Sequence, residues 1–177
     1  MPQVTISEAA FDFLQSRATP LVDTAATVLD KLIEELKSLK LLEKEAVLQR
    51  ESFTLTSAPS VKFTTITAAK VDGKPASQKY WNNILEDVIA ACVARGADMK
   101  AILPHISGQT VPGRKSDNGF RSVAAAGFSF QGLEANRALK SIAALAQAFH
   151  IGLEISFQWQ DNEAAALPKQ SGTIVYP

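Results

Sequence analysis

Gln3-Val4-Thr5-Ile6-Ser7-Glu8-Ala9-Ala10-Phe11-Asp12-Phe13-Leu14 carries two periodicities in one short stretch. Val4 and Ile6 alternate with Gln3 and Thr5, the period-two pattern of a half-buried strand. From Ser7 the period lengthens. Ser7 can cap a helix, and Glu8 favours its first turn through the helix dipole. Ala10, Phe11, Leu14 and Ala18 then fall on one helical face, widened by Phe13. Thr19-Pro20 breaks that helix. Asp23 or Thr24 caps a second one, in which Ala25, Val28, Leu29, Leu32, Ile33, Leu36 and Leu39 recur at spacings of three and four, and the pattern extends to Arg50. A strand and two helices in residues 1–50 cannot bury their own apolar faces. They must pair with a second copy or lean on the rest of the chain.

A strand followed by two helices is the ribbon-helix-helix arrangement, in which two copies pair their strands antiparallel and share one helical core. The stretch Val4–Leu14 followed by Asp23-Thr24-Ala25-Ala26-Thr27-Val28-Leu29-Asp30-Lys31-Leu32-Ile33 resembles the N-terminal oligomerisation domain of the SeqA family, bacterial proteins that sequester newly replicated origins. The resemblance covers about a fifth of the chain and implies a homodimer or higher oligomer. Its interface would use Val4, Ile6, Phe11, Leu14, Val28, Leu29, Leu32, Ile33 and Leu36. Nothing after residue 52 resembles that family's DNA-binding domain, so no DNA-site preference carries over. Gln3 and Thr5 on the outward face could contact bases. No basic residue precedes Arg17, however, which favours dimerisation over base reading for this strand.

The chain of 177 residues has 18 basic and 18 acidic side chains, so net charge implies no polyanionic partner. Its distribution says more: residues 1–51 hold nine acidic and six basic groups, a balance of −3, and residues 52–177 nine and twelve, a balance of +3. Any nucleic-acid affinity therefore belongs to the second part. Cys92 is the only cysteine and sits in an apolar run, which reads as a buried thiol in a reducing compartment. The absence of a secretion signal and of an apolar run of the ~20 residues needed to cross a bilayer predicts a cytoplasmic protein with no membrane partner.

Residues 51–60, rich in Ser and Thr, read as a linker, and residues 61–177 as an α+β domain. Its expected elements are a strand over Val61–Val71, a turn at Asp72-Gly73-Lys74-Pro75, and a helix from Gln78 to Arg95 capped by Ser77. A strand over Arg121–Phe130, a helix over Leu133–Phe149, a strand over Ile151–Trp159 and an edge strand over Thr173–Tyr176 follow. Alternation of Ile151, Leu153, Ile155, Phe157 and Trp159 predicts a mostly antiparallel sheet with one face under helices. The fold class is thus α+β throughout: a ribbon-helix-helix-like dimerisation module, then an α+β domain.

Enzyme motifs are scarce. GxxxxGK[ST], GxGxxG and GxSxG do not occur. His105 and His150 have metal-ligand spacing neither to each other nor to Cys92, and Asp161 with Glu163 reads as solvated loop charge. No catalytic residue, metal or cofactor is expected. The polar feature that stands out is Gly113-Arg114-Lys115-Ser116-Asp117-Asn118-Gly119-Phe120-Arg121, three cations against one carboxylate in a glycine-punctuated loop. Such loops present N–H groups and basic side chains to phosphates, and Arg114, Lys115, Asn118 and Arg121 are the candidate nucleic-acid contacts. A solvated β-turn with ordinary surface charge accounts for the same residues. Lys62, Lys70, Lys74 and Lys79 could extend a basic surface. Trp81 and Trp159 could stack on bases but fit the core better, given their apolar stripes.

The sequence leads to a dimeric DNA-associated protein that meets double-stranded DNA through its C-terminal domain. The alternative is an adaptor or assembly subunit that tethers a protein partner, for example in DNA metabolism or phage defence.

Overall fold

Ser7 does start a helix. In the computed structural model, which describes residues 5–19, 22–48 and 51–177, its hydroxyl accepts the Ala10 N–H at 3.3 Å. Helix α1 runs Glu8–Arg17, and Ala18 leaves it in extended backbone. Helix α2 runs Ala25–Leu48. Its start is a reciprocal cap: the Thr27 N–H donates to Thr24 Oγ1 and the Thr24 N–H to Thr27 Oγ1, the latter at 2.8 Å. Asp23 ties the turn together by accepting the Thr19 N–H at 2.9 Å and the Lys31 ammonium at 2.6 Å. The Lys31 ammonium, then the Thr19 N–H, lower the Asp23 carboxyl from 3.8 to about 2. Of the expected strand, Gln3 and Val4 lie outside the described residues, and Thr5 and Ile6 form no strand in the single chain.

By its internal contacts the chain divides into Met1–Gln49 and Arg50–Pro177, here unit 1 and unit 2. Unit 2 holds a five-stranded sheet in the order β1-β8-β7-β2-β3. Its strands are β1 (Glu51–Phe53), β2 (Thr64–Val71), β3 (Lys74–Pro75), β7 (Leu153–Trp159) and β8 (Ser171–Tyr176). Only the β1–β8 pair is parallel. A second sheet of three antiparallel strands has the order β4-β6-β5, from β4 (Thr110–Pro112), β5 (Phe120–Val123) and β6 (Phe128–Gln131). The helices are α3 (Trp81–Ala94), the short α4 (Met99–Ile102) and α5 (Ala135–Phe149).

The core forms where α3 and α5 meet the large sheet. Ile84, Leu85, Val88 and Ile89 of α3 and Ile142, Leu145 and Ala146 of α5 are buried, as the helical spacing requires. From the sheet come Leu153, Ile155, Phe157 and Trp159, the alternation read in the sequence. In β2 the buried positions are Ile66, Ala69 and Val71, because a bulge between Ile66 and Ala68 shifts the alternation by one residue.

Four expectations change. Residues 51–60 are not a linker: Glu51–Phe53 is β1, and Leu55 and Val61 are buried. The Asn136 carboxamide holds that segment to α5 by accepting the Val61 N–H at 2.8 Å, and Ser60 O accepts from Trp159 Nε1 at the same distance. The strand expected over 121–130 is a hairpin, β5 and β6, folded at a turn through Ala124–Ala126 and at Gly127, whose φ of 71° favours glycine. Thr173–Tyr176 belongs to β8, which is not an edge, because β1 covers its outer side. Helix α3 starts at Trp81, not Gln78. Ser77 does not cap it but donates to Asp87 Oδ2 through both its N–H, at 2.8 Å, and its hydroxyl, at 3.1 Å.

Candidate nucleic-acid interface

The Gly113–Arg121 segment connects β4 to β5, and its ends are fixed by the small sheet. The Gly113 N–H donates to Gly127 O at 2.8 Å. Ser129, fully buried on β6, accepts the Lys115 N–H and donates to Gly113 O, each at 2.8 Å. Asp117 O accepts the Phe120 N–H at 2.9 Å across Asn118 and Gly119, both at positive φ (51° and 76°). Asparagine and glycine are the residues that tolerate that conformation, so a tight β-turn explains this pair.

The four predicted contacts part ways. Arg114 is exposed. Lys115 is half-buried and lays its ammonium 4.2 Å from the centroid of the Phe120 ring, a cation–π contact that leaves the charge partly accessible. Arg121 turns to α3, where its Nε donates to Glu86 Oε1 at 2.6 Å in a pair about two-thirds covered on both sides. Asn118 is exposed at the turn. Glu86 is the residue that the sequence did not single out. With Asp117 it sets two carboxylates against three cations, so the loop's local excess is one positive charge. Of the lysines named as an extension, Lys70 pairs with Glu154 at 2.9 Å and Lys62 approaches Glu134 at 3.9 Å.

Both tryptophans are core residues. Trp159 is 1% exposed and packs edge-on against Phe157 and Phe53, and Trp81 donates Nε1 to Thr64 Oγ1 at 3.0 Å. Burial pushes the Cys92 thiol up to about 11, which makes it a poor nucleophile at neutral pH. His105 sits edge-on to Phe149, and His150 ends α5 in left-handed backbone. Among the described residues, no group of three or more His, Cys, Asp or Glu side chains is placed to hold a metal ion, and no helix is long and apolar enough to cross a membrane.

A groove of unit 2 lies elsewhere. It has a volume of about 520 Å³ and runs between the 55–60 segment and α5, lined in part by Leu55, Pro59, Ser60, Asn136, Lys140 and Gln147. Nothing in the sequence pointed to it, because the segment that forms one wall looked like a linker.

Of the expected interface residues in unit 1, Leu14 and Val28 are buried against each other's helices and Leu32 is half-buried. Ile6, Phe11, Leu29, Ile33 and Leu36 are exposed in the single chain, and Val4 lies outside the described residues.

No protein-family model, curated protein or solved structure matches this chain.

Proposed function

We propose that the chain is a self-assembling subunit: the N-terminal helices of two copies complete one apolar core, and the assembly carries unit 2 in two or more copies. One observation carries the proposal. Unit 1 buries Leu14 and Val28 but leaves Phe11, Phe13, Leu29, Ile33, Leu36 and Leu39 about half exposed. Apolar surface gains about 25 cal/mol for each Å² removed from water, so contiguous exposed side chains of this size mark an interaction site. The ribbon-helix-helix form implied by the SeqA-family resemblance is the finer part of the proposal. In it, Val4 and Ile6 of two copies pair antiparallel beside the shared helices. The capped two-helix order of residues 7–48 supports it. Sedimentation at micromolar concentration tests the proposal. A dimer or larger species is expected; a monomer overturns it.

A contact between double-stranded DNA and the Gly113–Arg121 loop is the second reading, and exposed Arg114 is the observation that favours it. Self-assembly would present two such loops at once and raise the avidity of a weak site. Binding in a low-salt mobility-shift assay should fall most for Arg114→Ala, less for Lys115→Ala and least for Arg121→Ala, whose charge Glu86 already holds. Absence of binding at low salt, or equal losses for the three variants, counts against it. Co-purification of a stoichiometric protein without nucleic acid would point instead to an adaptor.

A further inference from the structure

We infer that the α2 helices of two copies pair antiparallel about the turn that carries Ile33, setting Asp30 of each copy opposite Lys37 of the other. This rests on the self-assembly proposed above and names its face, direction and register.

Helix α1 already covers one side of α2. Leu14 of α1 and Val28 of α2 are both buried, and a groove of about 290 Å³ between the helices is lined by Phe13 and Arg17 of α1 and by Leu32, Glu35, Leu36 and Leu39 of α2. What remains exposed on α2 is Leu39 at the groove, by 52%, and a stripe of Leu29, Ile33 and Leu36, by 45%, 47% and 58%. Their spacing of four and three places them on one face. The next position on that face is Lys40, so the apolar stripe stops there.

The two flanks of the stripe differ. One faces α1 and carries Val28 and Leu32, with Glu35 already held by Arg17 of α1 at 3.7 Å. The other carries Asp30 and Lys37, two turns apart and therefore on the same side. A two-fold partner can approach in two directions. In a parallel pair each flank meets the opposite flank of the copy, which sets Asp30 and Lys37 against Val28, Leu32 and a Glu35 whose charge Arg17 already holds. In an antiparallel pair like flank meets like flank. A centre between residues 33 and 34 then sets position 30 opposite position 37, giving two Asp–Lys pairs related by the two-fold. An isologous interface must be self-complementary in this way. The charge pattern thus selects a second copy as the occupant and antiparallel as the direction. In the single chain Lys37 holds Glu34 at 2.7 Å, an exposed pair that is cheap to exchange.

Ala26, Ile33 and Lys40 share one side of α2, seven residues apart, and single cysteines there in the full chain test the register. The native thiol, Cys92, is fully buried, so it contributes little background. In the antiparallel pair the two copies of position 33 lie across from each other. Those of positions 26 and 40 are separated along the axis by about 20 Å, from the 1.5 Å rise per residue. A disulfide-linked dimer is expected from Ile33→Cys alone. Equal cross-linking at all three positions means a parallel pair and overturns the inference. As a second arm, Asp30→Lys should weaken association about tenfold and Asp30→Lys with Lys37→Asp should restore it; no restoration also overturns it. If the unaltered chain sediments as a monomer, self-assembly itself falls. If it sediments as a dimer without the Ile33→Cys link, only the pairing falls.

Discussion

Unit 1 and unit 2 use apolar side chains in opposite ways. Unit 2 places thirty buried residues in one cluster, and the side chains on its surface are mostly polar or short. Unit 1 makes two well-capped helices but, among the residues whose side chains are described, buries Leu14 and Val28 alone. Helix formation and core formation are therefore separable here. The caps of Ser7, Thr24 and Thr27 define unit 1 locally, and each such cap contributes on the order of 1 kcal/mol. Unit 2 owes its form to contacts between residues far apart in the chain.

The contrast can be broken most forcefully in unit 2. Phe157 is 1% exposed and touches both tryptophan rings, so Phe157→Ala should cost about 3–5 kcal/mol of unfolding free energy. Trp81 and Trp159 both lie in unit 2, which makes tryptophan fluorescence in urea a readout of that unit alone. A cost under about 1 kcal/mol would mean that the core is looser than described. Leu36→Glu in unit 1 should behave differently: association weakens by at least about a hundredfold, roughly 2.7 kcal/mol, while the fluorescence transition stays put. A shift of that transition would break the separation between the units.

A smaller effect is expected at Gly172. A methyl group there would lie 3.0 Å from the rings of buried Phe157 and half-buried Phe53, tighter than side chains ordinarily pack. Gly172→Ala should cost about 1–3 kcal/mol by overpacking, read by the same fluorescence assay. The smallest effect belongs to the turn of unit 1. Asp23 has a lower pKa folded than unfolded, so its contribution is complete above about 4 and fades as pH falls towards about 2. Helical circular dichroism should decline across that window, and Asp23→Asn should remove that component of the decline.

Much of the fold was legible where one residue's surroundings are set by its neighbours in sequence. Leu153, Ile155, Phe157 and Trp159 alternate without interruption, and β7 lies where they put it. Ser7 and the leucines of α2 mark helices for the same reason. The misreadings come from partners far away. Residues 51–53 look like a polar linker because their strand partner, β8, lies more than a hundred residues on. The turn at Gly127 hides within a run of alanines that suits a strand as well as a hairpin. At the candidate interface, turn chemistry and exposure were readable from Gly113, Asn118 and Gly119. The loss of Arg121 to Glu86 was not, since the two are 35 positions apart and meet only when α3 packs against β5.

The parallel pairing of β1 with β8 has a consequence for synthesis. Glu51 lies beside Gly172, Ser52 beside Thr173 and Phe53 beside Ile174, so the first strand of unit 2 waits for the last one. A ribosome making this chain holds Phe53 without its neighbour until more than a hundred further residues have been added, and pairings of such long span form slowly. During that interval the nascent sheet has a bare margin, and a chaperone or a slow step of elongation would act there.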